Sequence, residues 1–219
     1  PFDVGTLKCD IKTVHDQDWS ENWKKYYKPT KIGNNIVVKP IWVDYEADND
    51  DIIIDLDPGM AFGTGTHETT RMCVEAIEKY TSKDSVVYDI GTGSGILAIA
   101  ASKLGAKEVW AVDLDPVAVD SARENVGHNN IDNIHVVEGN LVEVVHGKGD
   151  IVVANIIAEI ICVLVKDAKK VLKSNGVFIT SGIINDRVDM VKDKLFEENF
   201  EVIEVINQGE WNCIVAKVK

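Results

Sequence analysis

The chain has 219 residues, 45% of them hydrophobic, enough for one ordinary domain with a small annex and a sizeable core. A formal net charge of −13 argues against a nucleic-acid surface, which is normally basic, and suits a basic protein partner. No stretch approaches the roughly 20 apolar residues that cross a bilayer. There is no basic-then-apolar leader, and Cys9, Cys73, Cys162 and Cys213 form no C-x-x-C pair, so we expect a cytoplasmic protein with reduced thiols and no membrane partner.

Leu7, Cys9 and Ile11 alternate with polar residues, as in a half-exposed strand. Too little precedes it to complete a sheet, so it reads as the last strand of a domain whose earlier part is absent. Asp18 and Glu21 are spaced as a capping-box variant opening a short helix that ends at Pro29. Trp19, Trp23, Tyr26 and Tyr27 fall on one face of it, which we read as a linker helix packed on the main domain rather than a ligand platform. Ile32 to Val43 reads as two short strands around Gly33-Asn34-Asn35, with Pro40 demoting the second to a sheet edge. An acidic loop from Tyr45 to Asp51 precedes the strand Ile52–Leu56 and the turn Asp57-Pro58-Gly59. The expected division is 1–29, a recognition-domain remnant with its linker helix, and 30–219, the main domain.

The run from Met60 to Thr70 is rich in Gly and Thr and leads into a helix whose Cys73, Ala76, Ile77 and Tyr80 share a face. Thr66 suits its N-cap. So many hydroxyls and glycines suggest a loop over a polar ligand; an elaborate capped turn is the plainer alternative. His67 has no second His or Cys near it in sequence. It is expected to shape the loop by hydrogen bonding, not to ligate a metal, and no metal site is expected.

Val86 to Ala98 is the most informative stretch: a buried strand, the turn Gly91-Thr92-Gly93-Ser94-Gly95, then a helix. The glycines let the backbone turn tightly and let a ligand approach, beside the unpaired N–H groups of the helix start. A dinucleotide fingerprint would need a glycine where Ile96 stands. Asp89, just before the run, would repel a pyrophosphate but accept from an ammonium group. Asp113, at the end of the next strand, is placed to hold two ribose hydroxyls. A nucleoside with a cationic amino-acid tail fits these features, and S-adenosyl-L-methionine is such a molecule; a nicotinamide or flavin dinucleotide is the weaker alternative.

The remainder alternates. Asp115 and Pro116 suit the N-cap and first position of a helix running to about Val126. Strand Ile134–Val137 leads to Asn140 and strand Asp150–Ala154 to Asn155. A helix over Glu159–Leu172 ends at Ser174-Asn175-Gly176, and strand Val177–Thr180 ends at Ser181-Gly182. A helix over Asp186–Glu198 precedes the hairpin of Glu201–Ile206 and Cys213–Val218. The expected fold is α/β: a Rossmann-like, seven-stranded, mostly parallel sheet with helices on both faces and a terminal antiparallel hairpin. Gly91, Asp113, Asn140 and Asn155 all lie just past strand ends, where such sheets bind ligands.

The chain resembles the bacterial ribosomal protein L11 methyltransferase family. The resemblance rests on the stretch Leu56 to Thr70, on Asp89 to Ala101, on Asp113-Leu114-Asp115-Pro116 and on Val152-Val153-Ala154-Asn155-Ile156. It continues in Ser181-Gly182-Ile183 and Trp211-Asn212-Cys213. It implies a class I methyltransferase domain, preceded in the family by a ferredoxin-like recognition domain that is mostly missing here. It implies methyl transfer from S-adenosylmethionine to lysine and terminal amino groups of a basic ribosomal protein. Cofactor contacts would fall on Thr70, Gly91, Asp113 and Asn155. Gly93 of the run joins them, as does Asn140, which stands where many relatives of the wider fold carry an acid for the adenine amino group. Asn155 is the expected catalytic residue, its amide oxygen accepting from the attacking nitrogen. A class I methyltransferase acting on RNA or a small molecule is the alternative substrate reading. A nicotinamide oxidoreductase and a non-catalytic adenosylmethionine sensor are the rival classes. A monomer is favoured.

Overall fold

The structure, a computed structural model, describes residues 27–58 and 65–219. The expected strand at Leu7–Ile11, the linker helix up to Tyr26 and the run Gly59 to Thr64 lie outside the described residues. Strand β1 (Thr30–Ile32) pairs antiparallel with β2 (Ile36–Pro40), and β2 pairs parallel with β3 (Ile52–Leu56). Helix α1 (Glu68–Tyr80) follows, then β4 (Val86–Ile90), α2 (Ile96–Lys103), β5 (Glu108–Asp113), α3 (Pro116–His128) and β6 (Ile134–Glu138). Next come β7 (Gly149–Asn155), α4 (Ala158–Val171), β8 (Leu172–Ile184), α5 (Val188–Glu197), β9 (Phe200–Gln208) and β10 (Trp211–Val218).

The main sheet has seven strands in the order β6-β5-β4-β7-β8-β10-β9. All neighbours are parallel except where β10 runs antiparallel between β8 and β9. The chain leaves β4 toward β5 and β6, then returns to the other side of β4 for β7. That reversal opens a crevice at the carboxyl ends of β4 and β7, the usual ligand position in such sheets.

Both faces are covered, so the central strands are mostly apolar on both faces, with buried polar residues such as Asp89, Thr180 and Ser181 toward their carboxyl ends, instead of alternating with polar residues. Val87, Ile151, Val153, Cys213 and Val215 face a core shared with α1, α2 and the three-stranded sheet, whose Ile32, Ile36, Val38, Ile54 and Leu56 are buried there. Tyr88, Ile90, Val152, Ala154, Ile214 and Ala216 face the core built with α4 and α5. Cys73 and Cys213 are buried and Cys162 is half-buried; all three are free thiols.

Three expectations are corrected. Pro40 does not make β2 an edge, since β1 and β3 flank it on both sides. Asn35 and Ile41 bond to β3, which by alternation leaves the Pro40 nitrogen on the β1 side, past Thr30↔Val38 where β1 has ended. The turn at Ser174-Asn175-Gly176 does not separate α4 from the next strand. Strand β8 starts at Leu172, and its pairing jumps from Gly149↔Leu172 to Ile151↔Val177. The intervening residues bulge, with Asn175 taking the left-handed conformation at φ 64°. The cap of α1 is His67 rather than Thr66. An imidazole nitrogen serves as the acceptor that a hydroxyl was expected to supply.

Candidate active site

The glycine turn after β4 is fastened to the end of β5. Gly91 and Thr92 donate their amides to the Val112 carbonyl at 2.8 and 3.0 Å. Gly93 donates to Asp113 Oδ2 at 2.9 Å, and Asp113 Oδ1 accepts from the Asp115 amide at 3.0 Å. Asp115 in turn caps α3, accepting from Val117 at 2.9 Å. Gly91 sits at φ 74°, and a Cβ there would lie 2.5 Å from the Ile156 side chain. Both facts require glycine.

Asp89 lies beneath this turn and is wholly buried. Its Oδ2 accepts from the Thr92 hydroxyl at 2.6 Å and from the Ala98 amide at 3.1 Å, so it braces the turn against the first residues of α2. It is therefore an internal brace, not the open acceptor for an ammonium group that its position suggested. Its Oδ1 has no hydrogen-bond partner. Burial pushes the carboxyl up to about 7. The Thr92 and Ala98 bonds pull it back, and the Asp113 charge adds to the rise.

Two cavities meet at the crevice. One, of about 370 Å³, is lined by Gly91, Asp113 and Asn140 with apolar walls that include Leu114, Leu141 and Ile156. The other, of about 510 Å³, is lined by His67, Thr69, Asn155, Ile156, Ile157, Gly182 and Trp211. Ile156 borders both, and Asn155, the last residue of β7, stands beside it. Asn155 Nδ2 donates to Thr70 Oγ1 at 3.4 Å, while Asn155 Oδ1 is buried with no hydrogen-bond partner. An orphaned amide oxygen at a cavity wall is a costly arrangement that an incoming N–H donor would relieve.

The expected residues thus gather at the carboxyl ends of β4 to β7, though not all touch the same space. Gly91, Asp113 and Asn140 line the smaller cavity. Asn140 is exposed, and its Nδ2 donates to Glu143 at 3.0 Å, leaving its oxygen as the group suited to an exocyclic amine. Thr70 is buried and reaches the site through Asn155. Gly93 lines neither cavity; its amide shapes the turn through Asp113.

Of the seven wall residues of the larger cavity only Asn155 was among the expected site residues; the other six were not. Trp211 opens β10 and meets the His67 ring edge-on at 5.1 Å. Gly182, at φ 85°, packs directly on the Ile156 backbone, where a Cβ would come within 2.4 Å of the carbonyl oxygen. Gly182 lies inside β8, which runs on to Ile184 instead of ending at the expected Thr180, although the Ser181-Gly182 pair already stood out as an expected strand end. Trp211 carries no such local signal. His67 does shape its loop, its Nδ1 accepting from the Thr69 amide at 3.3 Å. Among the described residues no cluster of three or more His, Cys, Asp or Glu is placed to hold a metal ion.

The crevice fits S-adenosylmethionine. Asp113 oxygens keep lone pairs for ribose hydroxyls, apolar walls suit a purine, and Gly91, with no side chain, borders the cavity with its backbone. The family model described as "Ribosomal protein L11 methyltransferase (PrmA)" matches residues 2–219. A curated ribosomal protein L11 methyltransferase of Clostridium perfringens is 64% identical over the whole chain, which spans 70% of that relative's length. A crystal structure of ribosomal protein L11 methylase from Lactobacillus delbrueckii is 38% identical. It matches 88% of this chain and all of its own, with a TM-score of 0.84. A Thermus thermophilus 16S rRNA methyltransferase, solved with AdoMet and guanosine, is 20% identical. It covers 73% of this chain and 45% of its own at a TM-score of 0.62, a likeness of fold.

Proposed function

The chain belongs to the ribosomal protein L11 methyltransferase family, and from that premise we propose that it methylates lysine and N-terminal amino groups of ribosomal protein L11, using S-adenosylmethionine. The observation that carries the site assignment is the unpartnered Asn155 oxygen at the wall of the larger cavity, next to Ile156, which borders both. The smaller cavity takes the cofactor, with Gly91, Asp113 and Asn140 as contacts. The larger takes the amine. S-adenosylmethionine, when bound, supplies a methyl group on a sulfonium, whose departure leaves a neutral thioether.

The protein's task is to present a neutral amine in line. A free lysine titrates near 10.4, and the apolar walls of Ile156, Ile157 and Trp211 disfavour its charged form. Asn155 Oδ1 accepts one N–H and so aims the nitrogen lone pair, while Thr70 fixes the amide through Asn155 Nδ2. No dedicated base is assigned; the proton leaves to solvent. The substrate is a basic protein, not RNA, in keeping with the net charge of −13. No helix among the described residues is long and apolar enough to cross a membrane, and we place the protein in the cytoplasm, as a monomer.

Titration calorimetry with S-adenosylmethionine, with NADH as control, tests the cofactor. Saturable binding of S-adenosylmethionine alone is expected, and binding of NADH alone overturns the assignment. Asn155→Ala then tests the role of the amide. Transfer should fall about a hundredfold while cofactor affinity changes only a few-fold. Undiminished transfer would remove Asn155 from the mechanism.

A further inference from the structure

Helix α3 ends in two asparagines a turn apart, Asn125 in its last turn and Asn129 at its C-cap, only 1% and 8% exposed. Asparagine is a poor residue for a helix interior, and a buried primary amide is costly unless it is hydrogen-bonded. Both are fully employed, but on different targets. Asn129 serves β3 and its own helix: Oδ1 accepts from the Asp55 amide at 3.0 Å, and Nδ2 donates to the Asp55 carbonyl at 2.6 Å and the Asn125 carbonyl at 2.8 Å.

Asn125 divides its amide between two segments. Its Oδ1 accepts from the Asp57 amide at 2.8 Å, and its Nδ2 donates to the Asp57 carbonyl at 3.2 Å and the Ser94 carbonyl at 2.9 Å. Ser94 is wholly buried inside the glycine turn. One turn earlier on α3, Ala122 closes on the same turn, and a Cβ on Gly95 would lie 3.2 Å from the Ala122 Cβ. Asp57 stands at the exit of β3, where the chain sets out toward His67 and Thr70. One side chain is bonded to both segments.

We propose that Asn125 is a positioning residue for the cofactor site: it ties the Gly91–Gly95 turn to the chain leaving β3 at Asp57, and so holds in place the turn against which the cofactor lies. It touches neither cavity. This inference rests on S-adenosylmethionine occupying the crevice at the glycine turn.

The test pairs Asn125 with Asn129, its neighbour of similar burial and bonding that lacks the bond to the turn. Calorimetric affinity for S-adenosylmethionine and melting temperature are measured for Asn125→Ala, Asn125→Asp and Asn129→Ala. Asn125→Asp keeps an acceptor for the Asp57 amide and removes the donor shared by the Asp57 and Ser94 carbonyls, so it tests the donor side of the amide if Asn125→Ala folds poorly. Both Asn125 variants should weaken cofactor binding by about tenfold, while Asn129→Ala stays within about twofold despite a lower melting temperature. Wild-type affinity in Asn125→Asp overturns the inference. So does a loss of affinity in all three variants that merely follows their melting temperatures. If the wild-type chain itself does not bind S-adenosylmethionine, the cofactor assignment fails and the inference with it.

Discussion

Asp89 has an ordinary carboxyl value of 3.8 and is held in the fold at about 7, chiefly by burial. The folded chain therefore binds a proton more tightly than the unfolded chain does. The stability this adds is full below pH 3.8, is lost as pH rises through about 7, and above that the buried anion is a standing cost. Asp89→Asn removes the titration while keeping an acceptor for Ala98. Melting temperatures of the two proteins, compared between about pH 5 and 8, should diverge in favour of the variant by several degrees as pH rises. A constant difference across that range would contradict the assignment. At this scale the sequence was informative where partners are close along the chain. Asp115 caps the helix it precedes, and Asp113 reaches Gly93 within one β-α-β step. It was silent where partners are distant. Thr70 meets Asn155 across 85 residues, and the amides of Asn125 meet Asp57 across 68. Residue type alone names a donor and an acceptor, but not which distant one is met.

Between elements, the contact of β7 with β8 decides how the crevice is shaped. Ile156 donates its amide to the Ser181 carbonyl at 3.1 Å, and Gly182 fits against the Ile156 backbone where no side chain has room. Gly182→Ala adds a Cβ at a positive φ and against a rigid neighbour, so it should destabilise the fold by about 2 kcal/mol or more. The same displacement moves Ile156, the wall common to both cavities, so transfer should fall even in the folded fraction. Denaturant unfolding and initial rates on the same preparation check both; a fully active, stable variant would show that the wall yields. Alternating helices and strands were readable here from apolar periodicity, because both sheet faces are covered and the strands are apolar runs. Two features were not: the continuity of β8 through Asn175, since a bulge and a turn use the same residues, and the interior place of β2, since the effect of Pro40 depends on which neighbour its nitrogen faces.

For the molecule as a whole, fold class followed from the order of elements, whereas the packing of the small β1-β2-β3 sheet onto α1 and α2 was not visible in any local pattern. The strand order has a consequence in time. In the chain β9 precedes β10, yet among the described residues β10 is the only strand hydrogen-bonded to it. A newly made β9 therefore has helices to pack on but no strand to pair with until its successor turns back at Gly209-Glu210 and slots in beside β8. Gly209 turns at φ 64° with open space around it, so Gly209→Ala strains the backbone without a clash. If the turn forms on the way to the barrier, stopped-flow refolding should slow about fivefold while unfolding stays unchanged. The reverse pattern would mean that β9 arrives after the barrier has been crossed. Either way, this sheet is assembled out of sequence, and its outermost strand is the one that must be patient.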